Sequence, residues 1–557
     1  MQEQVVAALM HPEAYPLDGR TASVEMIETH ISHIFLTGLR VYKVKKAVNF
    51  GFLDFTSLEK RKHFCEREVV LNQRLSPNVY LEVAEVRELN SVYTIGGSGA
   101  IVEYAVVMHQ LHHTDAMDQV LARGELTETQ VEQVAQRIAA FHRVAERSQD
   151  ITAAGGLQTM RENVLENFQQ TTEYRGRTVN PNSYARIRAY SEAFMEVMEG
   201  TFQRRESQGS IRDCHGDLHM DHVFLTGDVE IIDCIEFNDR YRYADVASDV
   251  AFLSMDLDYV GRPDLANTFQ NAYVKASGDT QLPEVLNFYK CYRAYVRAKV
   301  DSLRLDQVAN NATEFEQVRA RAEKHVALAD AYATSKQPML TITAGLMGTG
   351  KSRVAELLAH RLKAELISSD VLRKEMAGIP STERRYQNWE EGLYSPEAFD
   401  QTYQEMHGKA AETLASGVSV VLDASYRRRT WRQAALRVAQ EAGVPFIALE
   451  CVCPSDVVKT RLDTRLDQPG VSSDGRWELY QQQAAAFEPF NELPKSDHIV
   501  LDTSAPEEET ERQGLHSIYK KLLSAGGWTQ GGVASEMKLQ VRPGVYIQRT
   551  TLEGEQV

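Results

Sequence analysis

The stretch from Gly345 to Ser352, Gly-Leu-Met-Gly-Thr-Gly-Lys-Ser, constrains the fold of this chain more than any other part of it. It fits the pattern G-x-x-x-x-G-K-[ST], in which glycines let backbone N–H groups close around a phosphate. A strand-length apolar run at 339–344 precedes it, and apolar residues at helical spacing follow it between 354 and 362. A chance glycine turn would not need both flanks, so we interpret the stretch as a P-loop at the start of a helix.

This P-loop predicts ATP and Mg²⁺ as cofactors. Its lysine is predicted to reach the β- and γ-phosphates, and its serine is predicted to hold Mg²⁺. The residues predicted to bind the nucleotide are Gly345, Gly348, Thr349, Gly350, Lys351 and Ser352.

Strand-like and helix-like segments alternate after the P-loop. Strand candidates lie at 364–368, 418–422, 445–452 and 498–501, with helical patterns between them. Such alternation predicts a parallel sheet with right-handed crossovers, in which ligands bind at the carboxyl ends of the strands. We therefore predict a P-loop α/β domain over 338–524.

Polar residues at these strand ends are candidates for catalysis. Asp370 directly follows a strand and is a candidate base for a substrate hydroxyl, although a plain helix N-cap is the competing interpretation. Arg373, about one helical turn on, is placed to hold a substrate phosphate or carboxylate. Asp423 ends a strand where a carboxylate would act on Mg²⁺ through water.

Arg461 and Arg465 form a pair on one side of a predicted helix. Their spacing suits a lid that clamps a transferring phosphate, whereas a solvated basic face is the alternative. Together, the P-loop, Ser369-Asp-x-x-Arg and the strand ending in Asp423 resemble small P-loop kinases of the AAA type. That group is similar to polynucleotide-kinase, gluconate-kinase and zeta-toxin domains, and the resemblance implies a kinase.

The N-terminal half opens with β-rich runs over 31–48 that flank Thr37-Gly38 and predict a hairpin. On its second strand Lys43 and Lys45 share a face, because side chains alternate along a strand. A helix-like stretch at 57–75 with Glu66 and Glu68 follows, and strand lysine before helix glutamate is how kinase-like folds hold ATP phosphates. A solvated sheet edge is the alternative for the lysines. Residues 91–108 predict a second hairpin.

Residues 213–239 carry the strongest signal of this half. His215-Gly-Asp217-Leu-His219 is a candidate catalytic loop, and 229–233 is an apolar strand that ends in Asp233. Phosphoryl transfer needs one Asp to orient or accept the proton of the substrate hydroxyl and another to hold Mg²⁺. An acidic loop turn is the alternative for either Asp alone.

These motifs, over about 25–325, resemble the aminoglycoside phosphotransferase family, which has a protein-kinase-like α+β fold. The resemblance implies Asp217 as the catalytic base and Asp233 as a Mg²⁺ ligand. It also implies Lys43 or Lys45 as the phosphate lysine, with Glu68 as its partner.

The same resemblance implies a structural acidic motif at Asp245 and Asp249. It also exposes a departure, because the family pattern has Asn as a second metal ligand where this chain has His222. Mg²⁺ prefers oxygen to imidazole ligands, so His222 is the weak point of a Mg²⁺ site here, unless Asp221 supplies the oxygen. An N-terminal half that binds a ligand without transferring phosphate is therefore the alternative to an active kinase.

The order of the two halves resembles bacterial proteins described as bifunctional aminoglycoside phosphotransferase/ATP-binding proteins. We predict a kinase-like domain over 1–330, the P-loop domain over 338–524, and a tail over 525–557 in which no motif is evident. The expected activity is transfer of the ATP γ-phosphate to a hydroxyl of a small molecule such as a sugar or nucleotide. A P-loop ATPase that drives a conformational change is a rival.

Composition and charge narrow the classes of protein to which this chain can belong. The 557 residues are 43% hydrophobic and 25% charged, as in folded globular proteins, and apolar runs are only strand-sized. The net charge of −17 disfavours a broad nucleic-acid or membrane surface. The first residues lack signal-peptide features and six scattered cysteines fit a reducing compartment, so we expect a cytoplasmic protein.

Overall fold

The computed structural model describes residues 2–15, 23–51, 53–381, 383, 385, 390–466 and 474–526. All but the first two residues of the predicted tail at 525–557 lie outside this set. No helix of the described chain is long and apolar enough to cross a membrane.

The described chain divides into two compact units that are discontinuous in sequence. One unit contains the residues up to Glu162 together with Thr201–Ala294. The other contains Asn163–Gly200 together with the chain from Tyr295. The predicted domain boundary at 331–337 stays a prediction.

An antiparallel sheet of six strands within the described residues forms the first part of the fold, in the order β1-β2-β3-β6-β4-β5. Its strands are β1 (Glu25–Glu28), β2 (Ser32–Leu36), β3 (Arg40–Lys45), β4 (Tyr80–Leu89), β5 (Val92–Ile95) and β6 (Ala100–His109). The predicted hairpin at 31–48 is confirmed, since β2 pairs with β3. The hairpin predicted over 91–108 is wrong, because β5 and β6 both pair with β4, on its two edges.

Helices pack against this sheet and follow it along the chain, and their residues within 163–200 and beyond 294 belong to the second unit. They are α1 (Gln2–Leu9), α2 (Leu58–Asn72), α3 (Met117–Ala122), α4 (Glu128–Val144), α5 (Gln149–Gly155), α6 (Leu157–Gln170), α7 (Pro181–Val197), α8 (Glu199–Ser207), α9 (Val246–Tyr259), α10 (Pro263–Ser277) and α11 (Leu282–Arg304). The helix predicted at 57–75 is confirmed as α2, whose N-cap Ser57 accepts a hydrogen bond from the Lys60 N–H. The apolar face of α2 packs with β4 and β6 around Cys65 and Val69, which fixes Glu68 beneath β3.

Two small antiparallel pairs frame the candidate catalytic loop. Their strands are β7 (Ile211–Asp213), β8 (Val223–Leu225), β9 (Val229–Ile231) and β10 (Tyr243–Asp245). β7 pairs with β10, and β8 pairs with β9. The loop at 214–222 is therefore held at both ends by strands, and β9 ends at Ile231, two residues before the predicted strand end at Asp233.

A parallel sheet with the order β12-β13-β11-β14-β15 forms the core of the second unit. Its strands are β11 (Leu340–Ala344), β12 (Glu365–Ser368), β13 (Val420–Asp423), β14 (Phe446–Val452) and β15 (His498–Asp502). All pairings are parallel, and each β11 residue is buried, as a sheet covered on both faces requires. The predicted parallel α/β fold and its strands are thus confirmed.

The remaining helices cover this sheet and pack beside it. They are α12 (Ala312–Tyr332), α13 (Lys351–Leu362), α14 (Ser369–Met376), α15 (Pro396–Ala415), α16 (Arg429–Glu441), α17 (Ser455–Leu466), α18 (Trp477–Ala485) and α19 (Glu507–Ser524). Within this unit α7 packs along α19 and also contacts α12 and α13. Arg186 of α7 donates to Asp330 at 2.7 Å and to the carbonyl oxygen of Arg361 at 2.6 Å.

Candidate active sites

The glycines of the P-loop adopt backbone conformations that other residues rarely reach. The loop connects β11 to α13, with φ of +131° at Gly345, +78° at Gly348 and +86° at Gly350. A Cβ at Gly345 would lie 2.4 Å from the carbonyl oxygen of Cys451 on β14. Glycine is therefore required here both by the left-handed backbone and by the close approach of a neighbouring strand.

Lys351, Ser352 and Asp423 come together at the carboxyl edge of the parallel sheet. Asp423 accepts hydrogen bonds from Ser352 and from Thr343 Oγ1, the latter at 3.2 Å. Burial raises the pKa of Asp423, and the Lys351 charge opposes that shift. The Lys351 ammonium donates to the Leu346 carbonyl at 2.8 Å, and burial lowers its pKa against the opposing charge of Asp423. The hydroxyl and carboxylate oxygens are the donor type that Mg²⁺ prefers, so this pair fits the ion.

Asp370 lies in the first turn of α14, directly after β12, and β12 is the neighbour of β13, which ends in Asp423. The N-cap position is held by Ser368, so the interpretation of Asp370 as a plain N-cap is wrong. Asp370 Oδ1 accepts a hydrogen bond from Arg373 Nη1 at 3.0 Å, and its side chain is 31% exposed. The Arg373 guanidinium is buried over the ring of Phe399 at 4.5 Å. A carboxylate with access to solvent is thus oriented by a stacked arginine.

Arg461 and Arg465 of α17 line a cavity of about 440 Å³ beside the P-loop. Gly348, Gly350 and Thr503, which follows β15, line the same cavity. Arg461 donates to the Thr503 carbonyl oxygen at 2.6 Å. Both arginines face this cavity and are only partly exposed, which is not the arrangement of a fully solvated basic face.

Glu68 joins the two lysines of β3 beneath the antiparallel sheet. Its carboxylate lies 2.8 Å from Lys43 Nζ and 2.6 Å from Lys45 Nζ. Lys45 also contacts Glu236, whereas Lys43 Nζ lies 2.6 Å from Asp233 Oδ1. Both predicted lysines therefore reach Glu68, but only Lys43 touches the candidate metal ligand in the described contacts.

The charges of this cluster control its ionisation. Burial opposes the charged form of Asp233, but Lys43 outweighs it and holds the pKa of Asp233 well below its usual range. Burial raises the pKa of Glu236 despite the nearby Lys45. Sequence reasoning assigned no role to Glu236, although it lies only three residues beyond Asp233 in the same acidic segment.

The backbone of the catalytic loop is held by a buried carboxylate. Asp249 accepts hydrogen bonds from the N–H groups of His215 at 2.7 Å and Gly216 at 2.9 Å. Burial opposes its ionisation, but a hydrogen bond from His142 contributes to lowering the pKa of Asp249 to about 2. Asp245 caps α9 and pairs with Arg205. These contacts match the structural role predicted for both acidic residues.

The loop places Asp217, His222 and Asp233 beside one another. His222 Nδ1 lies 2.9 Å from the Asp217 carbonyl oxygen, and its Nε2 lies 3.5 Å from Asp233 Oδ2. Asp233 adopts φ of +64°, a left-handed conformation that is costly for a non-glycine residue and often found at functional sites. Asp233 supplies oxygen for Mg²⁺ and His222 supplies nitrogen, so the pair fits Mg²⁺ only in part.

Comparison with known proteins identifies relatives of both halves. The phosphotransferase enzyme family matches residues 53–289, and the AAA domain family matches residues 340–490. The uncharacterized protein Rv2004c of Mycobacterium tuberculosis is 31% identical over 494 residues, which cover 88% of this chain and 95% of that protein. The Mycobacterium bovis protein Mb2027c matches to the same extent.

Solved structures of kinases are also similar to parts of the chain. A choline/ethanolamine kinase family protein from Mesorhizobium loti is 13% identical, covers 59% of this chain and 98% of its own, and has a TM-score of 0.34. A gluconokinase from Sinorhizobium meliloti is 22% identical, covers 34% of this chain and 95% of its own, and has a TM-score of 0.24.

Proposed function

We infer the function of this chain from the family to which it belongs, that of two-module proteins joining a phosphotransferase enzyme domain to an AAA-type P-loop domain. The resemblances predicted for the two halves, and their order, are thereby confirmed. The chain is an ATP-dependent phosphotransferase. The acceptor and the role of each residue are the proposals that follow.

The P-loop module, we propose, transfers the γ-phosphate of ATP to a hydroxyl of a small molecule such as a sugar or nucleotide. The convergence of Lys351, Ser352 and Asp423 with Asp370 at one edge of the parallel sheet carries this proposal. β12 and β13 are neighbours in register, with Ser368 opposite Asp423, so the candidate base lies beside the candidate metal ligand. Ligands of parallel sheets bind at this edge.

Each residue has a distinct part in the transfer. Asp370 accepts the proton of the acceptor hydroxyl as its oxygen bonds to the γ-phosphorus, and the bond to the bridging oxygen breaks to release ADP. Lys351 compensates charge on the β- and γ-phosphates, and Arg461 and Arg465 approach the nucleotide from the cavity beside the P-loop. Ser352 and Asp423 would hold Mg²⁺, which supplies further charge compensation when bound.

The surroundings of Asp370 favour an acceptor that carries a phosphate or carboxylate group. Arg373 and Arg427 are both buried, and their guanidinium groups lie 4.5 Å and 5.0 Å from the ring of Phe399. Stacking on an aromatic ring holds a guanidinium flat, which suits bidentate bonds to an anion, and Arg427 already pairs with Glu390 at 3.1 Å. Arg373 donates a hydrogen bond to Asp370. An acceptor whose phosphate or carboxylate group binds Arg373 would therefore have its hydroxyl close to the candidate base.

The N-terminal module is proposed as a second phosphotransferase site, with Asp217 as base, Asp233 as metal ligand and Lys43 as the phosphate lysine. The contact of Lys43 with Asp233 at 2.6 Å favours it over Lys45. A ligand-binding module that regulates its neighbour remains the alternative, and His222 in the predicted metal site is the feature that favours it.

Calorimetric titration of the whole chain with ATP·Mg²⁺ tests the P-loop assignment. Lys351→Ala should remove one equivalent of bound ATP per chain, because the β- and γ-phosphates lose their compensating charge. Lys363→Ala is the matched control, since Lys363 is exposed just after the other end of α13. Unchanged stoichiometry and affinity of ATP binding in Lys351→Ala would contradict the P-loop assignment.

A transfer assay separates the two modules. Labelled ATP is offered with a small-molecule extract to the native chain, to Lys351→Ala and to Asp217→Asn. Products lost only in Lys351→Ala belong to the P-loop module, and products lost only in Asp217→Asn belong to the N-terminal module. Labelled products that survive unchanged in both variants would contradict both site assignments.

A further inference from the structure

The catalytic loop of the N-terminal module contains two histidines whose rings lie together. His219 and His222 have ring centroids 3.8 Å apart, and both face Asp217. Asp217, His219 and His222 each offer one ligand atom, and these atoms lie within 4.8 Å of one another. His219 is buried, whereas Asp217 and His222 are only partly exposed, so the cluster is accessible from one side.

Each histidine has its Nδ1 engaged by an oxygen. Nδ1 of His222 lies 2.9 Å from the Asp217 carbonyl oxygen, and Nδ1 of His219 contacts the carboxylate of Asp221. Metal-binding histidines characteristically donate their second ring N–H to a carbonyl or carboxylate, which fixes the tautomer and leaves the other nitrogen for the ion. Here both rings have this support at Nδ1, and the Nε2 of His219 faces the Asp217 carboxylate.

The two Nε2 atoms lie beside carboxylate oxygens. Nε2 of His219 is 3.2 Å from Asp217 Oδ2, and Nε2 of His222 is 3.5 Å from Asp233 Oδ2. Ligands at about 2.0–2.1 Å around a tetrahedral ion are separated by roughly 3.3 Å, so the 3.2 Å between His219 Nε2 and Asp217 Oδ2 suits two donors that share one ion. A site with two imidazoles and carboxylates favours a borderline transition metal over Mg²⁺, which prefers oxygen.

We propose that Asp217, His219 and His222 form a binding site for a divalent transition-metal ion of the Zn²⁺ class, supported by Asp221. The proposal deepens the proposed function, on which it rests for its catalytic consequence but not for metal binding itself. An ion here occupies the Asp217 carboxylate, so Asp217 cannot accept a proton while that ion is bound. The same loop would then hold either a transition metal or a catalytic base.

Metal titration of the tag-free, nucleotide-free whole chain tests the proposal. Calorimetry with Zn²⁺, and visible absorption with Co²⁺, which reports nitrogen and oxygen ligands directly, are compared with Mg²⁺. We expect Zn²⁺ and Co²⁺ to bind at least about tenfold more tightly than Mg²⁺ at a site that His222→Asn weakens by at least about tenfold. Asp221→Asn should weaken the same site about 10–100-fold, as expected of a supporting carboxylate.

Two controls make the result decisive. His112→Asn removes an exposed histidine outside the cluster and should leave the Co²⁺ spectrum unchanged. Thermal unfolding of each variant without metal shows whether the loop is intact. A Co²⁺ spectrum that is identical in the native chain and in folded His222→Asn, or Mg²⁺ binding as tight as Zn²⁺ binding, would overturn the proposal.

The outcomes also separate this inference from the proposed function. Zn²⁺ binding that depends on His222, in a chain whose phosphate transfer is unaffected by Asp217→Asn, would support the metal site and refute the N-terminal kinase site. Mg²⁺-dependent transfer that Asp217→Asn abolishes, without transition-metal binding at His222, would support the kinase site and refute the metal site.

Discussion

The two lysines of β3 should respond differently to replacement by methionine, which keeps most of the side-chain length. Lys45 is fully buried against Glu68 and Glu236. Lys45→Met therefore removes the cation that contacts Glu236 and one of the two cations that contact Glu68. Breaking a buried ion pair in this way costs about 3–5 kcal/mol. Lys43→Met should cost only about 1–3 kcal/mol, because Glu68 keeps Lys45 as its partner and Asp233 is 44% exposed and can be hydrated.

These free energies predict separable shifts in melting temperature. A loss of 1 kcal/mol lowers Tm by about 2–4 °C in a unit of this size class, so Lys45→Met should lower the transition of its unit by roughly 6–20 °C. Scanning calorimetry of the whole chain measures this. Lys46→Met is the control, because Lys46 pairs with Glu28, whose side chain is 56% exposed.

ATP affinity should rank the two lysine variants in the opposite order to their stability. In a Lys351→Ala background, which isolates the N-terminal site, Lys43→Met should weaken ATP binding more than Lys45→Met does at a temperature where both variants are folded. The reasoning fails if Lys45→Met shifts Tm no more than Lys46→Met, or if Lys43→Met is the more destabilising of the pair.

Two further predictions concern the P-loop unit. Gly345→Ala should lower ATP affinity at that site by at least about tenfold, because its Cβ would lie 2.4 Å from the Cys451 carbonyl oxygen, whereas Gly417→Ala, also at positive φ but with open space around its Cβ, should leave calorimetric binding unchanged. Equal affinities in the two variants would contradict the steric argument. Burial lowers the pKa of His407 from 6.5 to about 4, so the unfolded chain binds this proton first and stability should fall as pH decreases from about 6.5 to about 4. Across that pH range, the free energy of unfolding measured with urea should fall by up to about 3 kcal/mol less in His407→Gln than in the native chain. The same pH profile in both proteins would refute this assignment.

The sequence predicted the P-loop unit well because local patterns carry its structure. The apolar run before Gly345 is long enough for one buried strand, and the residues after Lys351 repeat with helical period. The carboxyl ends of parallel strands meet at one edge, so the placement of Asp370 near Asp423 followed from topology alone.

Contacts between distant segments were not predictable in the same way. Lys43 and Lys45 are equivalent by strand alternation, and the approach of Asp233 to Lys43 and of Glu236 to Lys45, about 190 residues later, distinguishes them. The wrong hairpin prediction over 91–108 has the same origin. β5 and β6 pair with opposite edges of β4, and no local sequence pattern indicates these pairings. The packing of α7 against α19 likewise joins two distant helices that their own helical patterns do not pair.

The central claim, that the P-loop module transfers phosphate with Asp370 as base, is tested most directly by one rate measurement. In an Asp217→Asn background, transfer from labelled ATP is compared for Asp370→Asn and for Glu375→Gln, an exposed change on the same helix. The account predicts that Asp370→Asn keeps ATP binding but loses transfer by roughly 10²-fold or more, while Glu375→Gln keeps both. Undiminished transfer by Asp370→Asn would contradict the account.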